Sequence, residues 1–298
     1  MILSLPAYGE IYSWKDAKGI THFGDKVVRG VEQNKVELKV QESKWEKYVI
    51  DIIDVDNILT GKERHRIERE VNAVYQFFDR KLYFDIYKTI PIKIRLYEKQ
   101  ESYDRYLSDK ASGNRKGSRG IYLPKTNEIV LTLNQKERWR TFWTIKHETT
   151  HVIIKSLTPF VPAWFNEGLA ENMESLGVKD NNLILHPHSE NKRSARKESK
   201  AGNNLNVEKL TSLTSRNYYE NMEHGQNTYQ AYAGELVRML LSTEPGKSII
   251  HRMIHTYKRG SRMNSSYIID KHYYGGLAKM QNNWNSWVSR ANSNQIKL

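Results

Sequence analysis

The residue types best suited to chemistry sit in one five-residue run, His147-Glu148-Thr149-Thr150-His151. Histidines four positions apart share one face of a helix, so both imidazoles can reach a single ion while the carboxylate between them projects alongside. The run lies within residues 136–157, where Trp139, Phe142, Trp143, Ile145, Val152 and Ile153 recur at helical spacing and would serve the core; Pro159 and Pro162 then stop the helix. A catalytic zinc ion commonly takes three protein ligands and keeps a fourth position for water, so a third ligand is required. The following segment, Trp164-Phe-Asn-Glu-Gly-Leu-Ala-Glu171, reads as a second helix from about residue 163 to 176. It offers Glu167, sixteen residues beyond His151, with Glu171 one helical turn further on as the rival ligand.

At these positions the chain resembles the gluzincin peptidases. In that clan a Trp-x-Asn-Glu-Gly-x-Ala segment follows the HExxH run, and the same residues stand here as Trp164, Asn166, Glu167, Gly168 and Ala170. The resemblance spans about residues 120–241 and is most specific at the metal. It implies a zinc peptidase with His147, His151 and Glu167 as ligands to one Zn2+ ion and Glu148 as general base. Glu171 and Glu174 become partners of a ligand imidazole or solvated helix residues. Zinc would polarise the scissile carbonyl and acidify water, with Glu148 carrying the proton to the leaving amine. The clan often takes an oxyanion donor from a downstream Tyr or His; Tyr229, Tyr232 and His224 are available, and a Tyr at the start of a similar helix favours Tyr229. Residues 120–133 fall where the clan has an edge strand that pairs with extended substrate. His186 and His188 lack ligand spacing and read as exposed.

The elements needed to position this site are visible in the pattern. Residues 49–55 are strand-like, 62–87 carry apolar residues at helical spacing, 90–97 alternate as a strand, and 101–107 form a short helix. Residues 120–133 read as two strands around a turn at 124–127. Beyond the second helix, residues 177–219 are polar and irregular, then helices are predicted over 229–241, 248–258 and 276–291, the last anchored by Trp284 and Trp287. Strands followed by helices give an α+β class, here a zincin-like catalytic domain: a mixed sheet with an edge strand, an active-site helix and a mainly helical C-terminal part.

A separate module precedes it. In residues 10–25, alternating apolar residues flank Asp16-Ala-Lys-Gly19, a hairpin signature in which Gly19 takes positive φ. The pattern Tyr12, Trp14, Asp16, Gly19, His22, Phe23, Asp25 resembles a small uncharacterised domain found at the N-terminus of many bacterial envelope proteins. Residues 28–47 turn polar, as a linker would. Residues 1–9 resemble the tail of a secretory signal, an apolar stretch followed by small residues. The expected organisation is thus a signal remnant at 1–9, a small β domain and linker at 10–47, and the peptidase-like domain at 48–298, located in the periplasm or secreted.

Composition narrows the partners. The chain has 298 residues and no cysteine, which removes disulfides, thiolate metal sites and cysteine nucleophiles. Lys and Arg number 47 against 34 Asp and Glu, a net charge of +13 that favours anionic partners. Beside a peptide or protein substrate, anionic cell-wall or envelope polymers are candidates. No specific nucleic-acid partner is expected, because the basic stretches at 114–119 and 191–200 read as polar loops rather than a recognition helix. No apolar run is long enough for a membrane span.

Overall fold

In a computed structural model of the chain, the structure describes residues 11–24, 30–36, 48–110, 118–133, 136–180, 182–223, 228–290 and 294–298. The basic stretch expected as a loop at 114–119 lies largely outside them. The chain divides into two compact units, Met1–Trp45 and Glu46–Leu298.

In the first unit β1 (Ile11–Lys15) pairs antiparallel with both β2 (Thr21–Gly24) and β3 (Gln33–Val36), in the order β2-β1-β3. The β1–β2 turn is closed by Asp16, whose Oδ1 accepts the amides of Lys18 at 2.8 Å and Ile20 at 3.0 Å, and by Gly19 at φ 79°. Trp14 lies opposite His22 in register and the rings stack at 5.6 Å. The third strand falls in the stretch that composition marks as a linker. Its sequence, Gln-Asn-Lys-Val, is too polar to announce a strand, and it forms because β1 has a free edge to pair with.

The second unit is α+β. Its main sheet has the order β4-β5-β7-β6, with β4 (Tyr48–Asp54), β5 (Ile90–Tyr97) and β7 (Glu128–Thr132) parallel and β6 (Gly120–Leu123) antiparallel to β7. The alternating Ile92, Ile94 and Leu96 of β5 are almost wholly buried, each stabilising the fold by roughly 2 kcal/mol.

Parallel strands need a crossover, and β4 reaches β5 through α1 (Gly61–Gln76). Thr60 and Glu63 start this helix as a reciprocal capping box, and Ile67, Val71 and Val74 bury one face of it. The helix spacing that runs on to residue 87 is overruled after a wider π-helical turn at Phe77–Lys81, because the chain must fold back toward β5. Residues between β5 and β6 form α2 (Gln100–Lys110).

The helix carrying the histidines, α3 (Arg138–Leu157), packs against β6 and β7, α1 and the next helix, α4 (Ala163–Glu174). Trp139 and Trp143 do not join the core: Trp139 is 40% exposed and Trp143 half-buried, stacked edge-on at 4.5 Å. One turn further along α3, buried Lys146 donates its ammonium to the Leu176 carbonyl at 2.6 Å and pairs with Glu70 at 3.2 Å.

The region that looks irregular from its polarity is ordered. It contains the hairpin β8 (Leu176–Lys179) and β9 (Asn182–Leu185), then α5 (Ser189–Lys200), α6 (Val207–Ser212) and α7 (Ser215–Glu223). Residues 191–200, expected as a loop, are therefore helix. The His188 side chain caps its N-terminus, Glu190 complements the dipole there, and Lys197 and Lys200 complement the other end. The buried stripe of α5 consists of Asn191 and Ala195, so it has no apolar periodicity to find.

Next come α8 (Thr228–Leu241), α9 (Glu244–Lys258), α10 (Ser265–His272) and α11 (Gly276–Ser289), and β10 (Ile296–Lys297) adds to β9. Trp284 is fully buried, whereas Trp287 is partly so and donates its indole N–H to Glu235 at 2.9 Å. Among the described residues no helix is long and apolar enough to cross a membrane.

Candidate metal centre

Two helices, α3 and α4, supply the cluster. Helical spacing puts His147 and His151 on one face of α3, their rings 4.9 Å apart, and α4 brings Glu167 against them. Glu167 Oε2 lies 3.5 Å from His147 Nε2, and Oε1 lies 3.7 Å from His151 Nε2. All three side chains are at most 14% exposed.

These separations are long for hydrogen bonds. They are close to the edge of a ligand tetrahedron, about 3.4 Å when ligand–metal bonds are about 2.0–2.1 Å. Two imidazoles and a carboxylate at that spacing are close enough to hold one metal ion.

The approach of α4 is set by its neighbour α8. A Cβ on Gly168 would meet the Ala233 carbonyl oxygen and Val237 Cγ2, each at 2.6 Å, so only glycine lets the helices touch here. Asn172 seals the same contact by donating to the carbonyls of Gly168 and Gly234, both at 2.8 Å.

Around the cluster lies a ring of buried polar contacts. Glu174 is held between two imidazoles: His147 Nδ1 at 2.8 Å and His188 Nε2 at 3.2 Å. Since His188 Nδ1 accepts the Asn191 amide at 3.3 Å, its Nε2 is the donor to Glu174. Burial alone would raise the Glu174 carboxyl, but these two bonds hold it well below the usual carboxylate range. Ionised Glu174 thus takes the Nδ1 proton of His147 as a hydrogen bond, which leaves Nε2 facing Glu167.

Glu171 has the opposite fate. It is buried next to Glu174, and desolvation followed by that like charge pushes it up, even though Asn191 donates to it at 2.6 Å and Gln230 at 2.5 Å. Glu167 is driven down to about 2: burial opposes ionisation, but the charges of His151 and His147 and a Tyr219 hydroxyl at 2.8 Å outweigh it. Burial likewise opposes a charge on His147, and the neighbouring carboxylates of Glu167 and Glu174 override it, raising its pKa well above the ordinary value.

Glu148 is also buried, and its Oε2 accepts the Tyr122 amide of edge strand β6 at 2.8 Å. The carboxylate is thereby fixed to the rim of a cleft of about 1020 Å³ that His147, Glu148, Glu171 and Glu174 line together with Trp143 and His188.

Four of the residues singled out in the sequence, His147, Glu148, His151 and Glu167, are brought together. Glu171 proves to be buried and Glu174 partly buried beside them, rather than solvated. Tyr229 instead stacks between Tyr218 and Tyr232, at 6.4 Å from each. The phenol that reaches the cluster is that of Tyr219, on α7. His224 lies outside the described residues. His186 is exposed, but His188 is 8% exposed and bonded to Glu174, so the expectation that both face solvent is corrected. No local motif marked it, because its partner Glu174 lies fourteen residues away. Tyr219 likewise had no mark among the chain's 18 tyrosines.

Residues 1–44 match a family described as Domain of unknown function (DUF4124). The match includes none of the cleft residues. No curated protein matches the chain.

Proposed function

We propose that this protein is a zinc-dependent peptidase with a zincin-like catalytic domain, hydrolysing peptide bonds with Glu148 as general base. The observation that carries this reading is the convergence of His147 Nε2, His151 Nε2 and Glu167 within 4.8 Å of one another, with Glu148 beside them at the wall of an open cleft. His147, His151 and Glu167 would hold the ion, which when bound supplies a Lewis acid for the scissile carbonyl and for water.

The remaining work falls to the chain. Glu148 accepts the proton of the attacking water and delivers it to the departing amine, the Tyr122 amide keeping the carboxylate aimed. Glu174 sets the orientation and tautomer of His147. The Tyr219 hydroxyl donates to Glu167 at 2.8 Å and so would orient that ligand carboxylate. Edge strand β6 offers backbone groups to an extended peptide. We place the protein in the periplasm or outside the cell, on the signal-like residues 1–9 and the resemblance of residues 10–25 to an envelope-protein domain.

The test is metal content by elemental analysis together with hydrolysis of a mixed peptide library, for the wild type and Glu148→Gln. Both proteins should carry about one zinc, and only the wild type should cleave. A wild type that binds no zinc refutes the ligand set. One that binds zinc and cleaves nothing leaves a zinc-binding or cell-wall-binding envelope protein as the better description, for which the +13 net charge is the supporting observation.

A further inference from the structure

The charged groups that line the cleft differ in whether they are paired. Its carboxylates are already engaged: Glu148 by the Tyr122 amide, Glu171 by Asn191 and Gln230, and Glu174 by His147 and His188. Glu190, nearer the rim, pairs with Arg140 at 3.2 Å, which also meets Glu137 at 3.0 Å. Arg193 and Lys197 of α5 and Arg119, just before β6, line the same cleft, are exposed, and have no carboxylate partner among the described residues. Arg193 and Lys197 are four apart, so they present their charges from one helix face.

This basic face is fixed to the candidate metal centre. Helix α5 begins at His188, which bonds Glu174, and its first turn holds Asn191, which bonds Glu171. Both carboxylates belong to α4, the helix that carries Glu167. Two short polar links therefore set the distance between the basic face and the ligands, which a specificity pocket requires and a general surface charge does not. Cations left unpaired in a concave site, where the carboxylates are already engaged, attract anionic ligands.

We propose that Arg193 and Lys197, together with Arg119, select peptides bearing a carboxylate close to the scissile bond. The carboxylate belongs to an Asp or Glu side chain or to the peptide's own C-terminus. The inference rests on the peptidase reading and names its substrate class. Guanidinium suits such a ligand because its planar fork meets both carboxylate oxygens, while Lys197 adds a point charge. Two partly exposed ion pairs correspond to a preference on the order of tenfold, which salt should weaken.

The experiment compares kcat/KM for matched peptides containing Asp or Glu against Asn or Gln at each position around the cleaved bond. Each is made with a free and with an amidated C-terminus and assayed with the full chain. The wild type should favour the acidic peptides about tenfold at low salt. A preference that survives amidation assigns the carboxylate to a side chain, and one lost on amidation assigns it to the C-terminus. The ratio should collapse toward one in Arg193→Gln/Lys197→Gln. It should invert toward Lys-containing peptides in Arg193→Glu/Lys197→Glu, a reversal that mere loss of structure cannot produce.

Equal cleavage of acidic and neutral peptides by the wild type overturns this proposal while leaving the peptidase reading intact. If the wild type cleaves nothing, the peptidase reading has failed separately. Fluorescence anisotropy with labelled acidic and neutral peptides then decides: selective binding lost in the Gln variant upholds the charge selection, and equal binding ends it.

Discussion

Two histidine–carboxylate pairs in this protein have nearly the same geometry and very different consequences. In the first unit His22 Nε2 meets Asp16 Oδ2 at 3.0 Å, with the side chains 44% and 34% exposed. In the second, His147 Nδ1 meets Glu174 Oε1 at 2.8 Å, with the side chains 10% and 19% exposed. Water competes for the first pair and screens it, so its main service is to a turn, where Asp16 also receives two backbone amides. The second pair is shielded, so the bond decides which imidazole nitrogen is left to face Glu167. A contact distance alone cannot separate a turn staple from a metal-site orienter; the surrounding medium does.

The largest expected effect follows from the buried pair. Glu174→Gln should lower zinc affinity roughly 10–100-fold, measured by competition with a chelator, because His147 loses its orienting carboxylate. An unchanged affinity would erase the distinction between the two pairs. Gly168→Ala should destabilise the second unit by about 1–3 kcal/mol in denaturant unfolding, since the new methyl would enter the Ala233 carbonyl and Val237.

A pair of intermediate exposure provides a graded case. Glu63 is paired with Arg138 at 2.7 Å, with the side chains 16% and 30% exposed. The Arg138 hydrogen bond, working against burial and aided by the Thr60 cap, lowers its pKa from 4.5 to about 2. The folded value lies below the unfolded one, so the stabilisation is full above about pH 4.5 and is lost as pH falls toward 2. Glu63→Gln should cost about 1–2 kcal/mol at pH 7 and much less near pH 2, read from unfolding curves at both. A pH-independent difference would mean the charge contributes nothing.

In the exposed hairpin, Gly19→Ala meets no steric neighbour and is disfavoured only by φ 79°, at about 1 kcal/mol. Asp16→Asn should have the smallest effect of all: no change in zinc affinity and a small shift in thermal midpoint. A large loss of stability there would show that the exposed pair matters more than its solvation allows.

The legible parts of this molecule are those whose signal is local. His147, Glu148 and His151 fall within five consecutive residues of helix, and β5, β6, β7 and the start of α4 announce themselves by alternation or by a proline stop. Illegible were the parts stabilised by polar contacts at long sequence separation. Helix α5 has no apolar stripe, β3 has one apolar residue, and His188 is buried because Glu174, fourteen residues away, receives its proton. Tyr229 and Tyr219 could not be ranked by sequence, since either phenol reaches a site only if its helix is docked at the right angle.

The sequence by itself determined the donor types, their helical spacing, the absence of thiols and the excess of positive charge, because composition and short-range periodicity are properties of the chain alone. Only the tertiary structure decided which carboxylates face which imidazoles, that Tyr219 meets Glu167, and that Arg193 and Lys197 share a cleft with Glu148. Those outcomes depend on how closely α4 approaches α8 and where α5 is tied, and such distances are set by packing between segments far apart in the chain.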